Sequence, residues 1–551
     1  MERNGLTTPD KGLHTPLASW QTLYPSALAG FAVLSLYQAN LDEVSVGQVI
    51  RPLLLAVILS AALTWLLRWL ASQASRGGLL AAGVVVLFFS YGHVYSWLRG
   101  IELGGLALGQ HRYALLLAGL AGVAWSLLAV RWLRQPSVVE RAIALMALVA
   151  LIMPLSALVI QGAQRALARP VRLSGPTPAI EVGPQATLPD IYYLVLDGYG
   201  RQDVLETYYQ HDNQAMLDAL QAMGFHVAER SYSNYNQTVL SLASSLNMAY
   251  LDEIASQATD EADGRRQLTD TLKHSRVRDI LQGLGYETVA FETGYSPTEW
   301  RDADLFLSPL DEGMSFNRAV LESAYISPFE SQLLATTAVR LAFDFDLLRR
   351  WLESAIGQAS PYLRHRARVE FAFETLPTLA ERPGPTFVFA HIITPHPPFV
   401  FGEKGEPQVP PGAFSLADAD AFGGSPADYV VGYRRQLTHI NQLLLSALEA
   451  ILARSDRPPV IIVQGDHGPG AHMVWSSPEQ SLLVERMAIL NAYYFPGESP
   501  GPLADDLSPV NSFRLVLAAL GGDLPELLPN RSYFATWEQP LDFHDVTEEL
   551  P

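Results

Sequence analysis

The sequence predicts two parts of different class: an N-terminal α-helical membrane domain of several spans, then a soluble α/β domain built on a mostly parallel sheet. Three observations predict it. Long apolar stretches crowd the first third of the 551 residues. After about residue 190, short apolar runs alternate with amphipathic helical patterns. The charge also reverses: residues 1–172 carry thirteen Lys/Arg against six Asp/Glu, and the remainder twenty-four against fifty.

The apolar stretches lie at about 51–71, 79–98, 113–133 and 139–161, each near the ~20 residues that carry a helix across a bilayer. A fifth, about 20–38, is weaker. Pro25 and Gln38 fall in it, although Ala27 to Leu36 is continuously apolar or small. It reads as a further span, or as an uncleaved hydrophobic signal or interfacial helix. With five spans, the ends bearing Arg68/Arg76 and Arg131/Arg134/Arg141 share one side with the N-terminus, and Asp42/Glu43 fall on the other. Lys and Arg collect in short cytoplasmic loops, so everything after about residue 162 is expected outside the cytoplasmic membrane. The expected division is a membrane anchor over 1–165, a Pro-, Gly- and Thr-rich linker over 166–189, and a soluble domain over 190–551.

Within the soluble domain, Ile191–Leu196, Thr288–Phe291, Thr386–Ile393 and Val460–Val463 read as buried parallel strands. Helical patterns at Asp212–Met223, Leu268–Leu284 and Tyr433–Ala453 lie between them. The aromatic and Leu-rich sequence Asn317–Leu352 reads either as a cap over a site or as helices covering a sheet edge.

The acidic balance of this part argues against nucleic acid as a partner. The absence of cysteine removes disulfides, thiol nucleophiles and thiolate metal sites, so any metal must be held by His and carboxylate. In parallel sheets the ligand site lies beyond the carboxyl ends of the strands. Those ends present Asp197 after Leu196, His396 in Thr394-Pro395-His396-Pro397-Pro398-Phe399, and Asp466-His467 after the last strand. Singly, an Asp-Gly is more often a turn and an Asp-His pair more often a cap. Jointly, they form an oxygen-rich site with imidazole, suited to one zinc or manganese ion. Thr238 follows the polar loop Ser233–Gln237 at the start of a small-residue helix. A lone Thr there would be a cap, but the free N–H groups of a helix start also favour an alkoxide or an anionic ester.

These residues resemble the alkaline phosphatase and sulfatase superfamily, especially its membrane-anchored branch of lipoteichoic acid synthases and lipid A phosphoethanolamine transferases. The resemblance spans about residues 188–500 and implies an alkaline phosphatase-like sandwich. It implies Asp197, Thr238, Asp466 and His467 as ligands of one divalent cation, Thr238 as covalent phospho-acceptor and His396 as a substrate-contacting catalytic histidine. A membrane phospholipid donor and an envelope glycan or lipid acceptor are the implied partners, at a bacterial inner membrane. Two features depart from the pattern. The branch usually has Glu where this chain has Asp197, and sulfatases use a Cys- or Ser-derived nucleophile where this chain has Thr238. Alternatives are a phosphodiesterase or sulfuric ester hydrolase of the same superfamily, or a non-catalytic envelope protein that binds a glycan or partner. Arg201 and Arg364 are the candidate anion clamps, and His391, His396 or His472 could bind a second ion.

Overall fold

The computed structural model describes residues 23–41, 44, 46–99, 101–103, 106–167, 173, 188–258, 260–309, 326–345, 360–410, 414–497, 499, 501, 503–522 and 526–551. Asp42, Glu43, most of the expected linker and the flanks of Asn317–Leu352 (317–325 and 346–352) lie outside the described residues. The chain forms two compact units, one of residues 1–41, 46–167 and 333–341, the other of 42–45, 168–332 and 342–551.

The helical unit contains α1 (Tyr24–Ala39), α2 (Val46–Leu70), α3 (Ala74–Arg99), α4 (His111–Leu127, continued by a π-turn to Trp132) and α5 (Pro136–Leu167). The last four are long and apolar enough to cross a membrane. Their outward faces carry Leu59, Trp69, Leu120, Met153 and Val159, each 60% or more exposed, which in water would be a severe apolar surface. At 16 residues α1 is about 24 Å long, shorter than a ~30 Å hydrocarbon core. It packs through Tyr24 against Ala82, Ala144 and Ala147. Small residues at this seam let the backbones approach closely.

The second unit is an α/β sandwich on a seven-stranded sheet. In chain order the strands are β1 (Ile191–Leu196), β2 (His226–Val227), β3 (Glu287–Phe291), β4 (Leu305–Leu307), β5 (Thr386–Ile392), β6 (Val460–Gln464) and β7 (Asn491–Tyr494). They lie side by side as β2-β7-β6-β1-β5-β3-β4. β1 pairs in parallel with both β5 and β6, and β5-β3-β4 continue in parallel, while β7 runs antiparallel to β6 and β2. The fold class read from the sequence, a multi-span helical part followed by a mostly parallel α/β part, is the one observed. Side-chain alternation sends Tyr192, Leu194 and Leu196 to one face and Ile191, Tyr193 and Val195 to the other. The helices that matter to the site are α6 (Thr238–Asn247) on the second face and α11 (Pro426–Arg454) on the first. Between them in sequence lie α7 (Glu261–Lys273), α8 (Arg276–Gly283), α9 (Pro328–Thr336) and α10 (Pro361–Thr375), and α12 (Leu483–Met487) follows β6.

Candidate metal centre and nucleophile

β1 sits at the middle of the sheet, so the loop that follows it meets the loops leaving β5 and β6 at one edge. Asp197 is the first residue after β1; its carbonyl accepts from the His396 amide (3.0 Å) and its own amide donates to Ile392 O (3.0 Å). The Gly198 amide donates to Asp466 Oδ1 (3.1 Å). Backbone bonds thus join the loops behind β1 and β5, and the Asp466 carboxylate ties the loop behind β6 to them. α11 holds them there. Its start is fixed by a capping box between Ser425 and Asp428 with Pro426 in the first turn. Tyr433 then donates to Gly198 O (2.9 Å) and accepts from the Gly200 amide (3.1 Å), and Gln436 donates to Pro395 O and His396 O.

Asp197, Asp466 and His467 lie together, fully buried, with one ligand atom from each within 4.8 Å of the others. His467 Nε2 is 3.6 Å from Asp197 Oδ1 and 3.4 Å from Asp466 Oδ2. His467 Nδ1 is 2.9 Å from Gly468 O. A proton on Nδ1, donated to that carbonyl, leaves the Nε2 lone pair facing the carboxylates. Asp197 Oδ1 and Asp466 Oδ2 have no hydrogen-bond partner. Two buried carboxylates with orphaned oxygens beside an imidazole lone pair are a costly arrangement without a cation, and the donor set fits zinc or manganese. Burial by itself would raise the Asp197 carboxyl, but His396, His391 and His467 around it hold it well below the carboxylate range. It is therefore ready to ligate as an anion.

Thr238 is the first residue of α6, and its half-buried hydroxyl lies 3.2 Å from His467 Nε2. The preceding loop is locked by side chains. Asn236 and Gln237 donate to Ala535 O, Gln237 also to Thr536 O, Asn236 accepts from the Ala535 amide, and Ser233 Oγ donates to Asp466 O. The polar run Ser233–Gln237 is thus a brace that aims a helix start at the carboxylate pair. The four residues expected to share one ion, Asp197, Thr238, Asp466 and His467, are brought together.

His396 is buried beside them, its ring centre 6.3 Å from that of His467. Its Nδ1 is 2.6 Å from Pro397 O and its Nε2 3.6 Å from Asp418 Oδ2. Burial opposes a charge on this ring, but Asp197 and Asp418 outweigh it and raise its pKa above the ordinary histidine value.

Two residues at the site escaped the sequence reading. Arg486 on α12 is 1% exposed; it donates to Asn236 O (2.9 Å), Gly468 O (3.2 Å) and Asp418 Oδ2 (2.6 Å), and its other terminal nitrogen lies 3.1 Å from His467 Nε2. Asp418 accepts from Tyr429 Oη as well (2.7 Å). Burial works against its charge, but Arg486 and His396 bring its pKa down to about 2. The pair ties the loop of the proposed nucleophile, the Asp-His loop and α11 into one network. The available signal was Glu485-Arg486 inside the otherwise apolar run Leu482–Leu490, since charges in such a run must be partnered. The guessed clamps are engaged elsewhere: Arg201 pairs with Asp203, Ser231 O and Tyr232, and Arg364 with Glu292. His391 Nε2 is 3.3 Å from Asp197 Oδ2 while its Nδ1 meets Thr298 Oγ1 at 2.9 Å; His472 is bonded to Glu485. Among the described residues, Asp197, Asp466 and His467 form the one cluster of three His or acidic ligands with metal-binding spacing.

No protein-family model and no curated protein matches the chain. Comparison with solved structures does find likenesses. The C-terminal periplasmic domain of EcEptC from Escherichia coli, in complex with Zn, aligns at 10% identity and TM-score 0.43, over 68% of this chain and 97% of that one. In fold, the chain is similar to phosphoethanolamine transferases and sulfatases. The integral membrane protein lipooligosaccharide phosphoethanolamine transferase A from Neisseria meningitidis aligns at 14% identity and TM-score 0.40, over 92% of this chain and 96% of that one. Phosphonate monoester hydrolase of Agrobacterium radiobacter aligns at 16% identity and TM-score 0.38, over 63% and 80%.

Proposed function

We propose that the chain is a membrane-anchored, metal-dependent phosphotransferase of the alkaline phosphatase and sulfatase superfamily, its catalytic unit outside the cytoplasm of a bacterial inner membrane. It would move a phosphoethanolamine or phosphoglycerol group from a phospholipid to an envelope glycan or lipid. The observation that carries this reading is the Thr238 hydroxyl at a helix start, 3.2 Å from His467 Nε2 and beside the orphaned Asp197 and Asp466 oxygens.

Asp197, Asp466, His467 and Thr238 would hold one divalent cation. That ion supplies positive charge, which lowers the pKa of the hydroxyl and neutralises phosphate oxygens. Thr238 Oγ1, its proton already lost to solvent, attacks phosphorus as the alkoxide: the Oγ1–P bond forms and the bond from phosphorus to the diacylglycerol oxygen breaks. The free amides at the start of α6 favour the anionic group as it arrives. His396, whose two ring nitrogens face Pro397 O and the Asp418 carboxylate, is suited to carry a proton and give it to the leaving oxygen. In the second half, an acceptor hydroxyl returns that proton to His396 and takes the phosphoryl group, freeing Thr238. Asp418 and Arg486 do not need to touch substrate. They keep His396 and His467 in place.

The test incubates the purified full-length chain with phosphatidylethanolamine or phosphatidylglycerol and follows diacylglycerol and the mass of the Thr238 peptide. Diacylglycerol release with Thr238 carrying a phosphoethanolamine or phosphoglycerol group is expected. The Thr238→Ala variant should lose turnover by a factor of 10³ or more, on the order expected for a covalent nucleophile, while still binding zinc. Unchanged turnover in that variant removes Thr238 as the nucleophile.

A further inference from the structure

The stretch Leu333–Leu341 lies, in sequence, deep inside the α/β half, yet it groups with the helical unit. Its residues are Leu333, Leu334, Ala335, Thr336, Thr337, Ala338, Val339, Arg340 and Leu341, with a single charge. We propose that this stretch is a re-entrant membrane element, immersed in one leaflet of the bilayer beside α3, with lipid as its partner.

Depth follows from where it touches α3. The Ala338 amide donates to Phe88 O (2.8 Å), and Ala338 and Leu341 pack on Tyr91, Tyr95, Leu98 and Ala114. Gly92 permits the contact: a Cβ there would lie 2.2 Å from Ala335 O and 2.5 Å from the Thr336 carbonyl carbon, both backbone atoms that cannot step aside. α3 has 26 residues, about 39 Å of helix against a ~30 Å hydrocarbon core, so roughly 4–5 Å emerges at each end. Phe88 is eleven residues, about 16 Å, from the Arg99 end. Gly92 is seven residues, about 10 Å, from it. The contact with α3 therefore lies some 6–12 Å below the hydrocarbon boundary.

The backbone is built for that depth. Irregular chain survives among acyl tails only when its polar groups are satisfied by protein. Five consecutive amides are: Thr337 donates to Leu334 O (3.1 Å), Ala338 to Phe88 O, Val339 to Thr337 Oγ1 (3.2 Å), Arg340 to Thr337 O (3.2 Å) and Leu341 to Ala338 O (3.2 Å). Both threonine hydroxyls turn back on carbonyls, Thr336 on Leu333 O (2.7 Å) and Thr337 on Leu334 O (2.8 Å). The one charge is directed toward the helix end. Arg340 donates to Ser96 Oγ (3.1 Å) and stacks over the Tyr95 ring at 4.6 Å, three and four residues from Arg99. An arginine reaching for the interface is the usual behaviour at this depth.

The natural absence of cysteine makes the test direct. Leu334→Cys and Val339→Cys, both half-exposed positions, are labelled with an environment-sensitive fluorophore in the full-length chain reconstituted in phosphatidylcholine–phosphatidylglycerol vesicles. Leu120→Cys on the outward face of α4 and Gln221→Cys on the exposed surface of the second unit serve as references. Spin-labelled acyl chains should quench labels 334 and 339 as they quench 120, and iodide should quench them several-fold less than 221. Iodide quenching equal to that at 221 overturns the proposal, and so does protection from both quenchers, which would mean that protein rather than lipid covers the stretch. In a Gly92→Val background, iodide access at 339 should rise while access at 120 stays low, which separates release of the stretch from collapse of the helices.

Discussion

At Glu292, burial and two guanidiniums pull one carboxyl in opposite directions. Burial would raise it, but Arg368 and Arg364, with a bond from Ser308, bring it from 4.5 to about 2. A carboxyl depressed in the folded chain contributes stability above its unfolded value and loses it as pH falls through the folded one. The shift corresponds to about 3 kcal/mol at neutral pH. Glu292→Gln should cost about 3–5 kcal/mol there, because it leaves the buried Arg368 and the half-buried Arg364 facing a neutral group. Between pH 4.5 and 2 the wild-type midpoint of denaturant unfolding should therefore fall more steeply than that of the variant. Parallel slopes would show that Glu292 is not the titrating group. Individual residues were legible in the sequence where their position alone implied chemistry: Asp197 and Asp466-His467 follow strands, and Thr238 opens a helix. Asp418 and Arg486 were not: the apolar run around Arg486 announces a partnered charge, but its partner lies 68 residues away and is set by tertiary packing alone.

The elements around the site leave little slack, and the turn from β6 into α12 shows it best. The Gly468 amide donates to Arg486 O (2.7 Å), and a Cβ at 468 would lie 2.1 Å from Glu485 O and 2.9 Å from Ala488 O. These are backbone atoms, so Gly468→Ala must push α12 away, at about 1–3 kcal/mol for overpacking. Displacing the carbonyl that orients His467 should also weaken metal binding by about 10–100-fold, measured by zinc titration against a chromophoric chelator. Unchanged affinity would mean that the turn is not what positions the imidazole. The central strands β1, β3, β5 and β6 were readable to within a residue, since they are buried on both faces and read as apolar runs. β2, β4 and β7 were not read: two to four residues at the sheet margin carry too little pattern. The expected single helix Leu268–Leu284 is instead broken at Ser275, whose hydroxyl accepts from the Arg278 amide and starts α8.

For the molecule as a whole, the sequence reading and the structure agree on a helical part followed by an α/β part, and differ on where chain belongs. A linear reading places everything after residue 189 in one domain, but Leu333–Leu341 joins the helices. Its short apolar run has the length of a buried core element rather than of a span, so hydropathy could not separate the two. The strong acidity of the second unit would give a bound cation a second task at the proposed phosphate site. Without it, the carboxylate pair would repel a phosphate group that the surrounding charge already disfavours. Metal content of the purified full-length chain is therefore the most direct measurement. About one zinc or manganese ion per chain is predicted, falling to a small fraction in the Asp466→Asn, His467→Ala double variant at unchanged helical content. Equal metal in the two proteins, or none in the wild type after loading with either ion, would contradict the account.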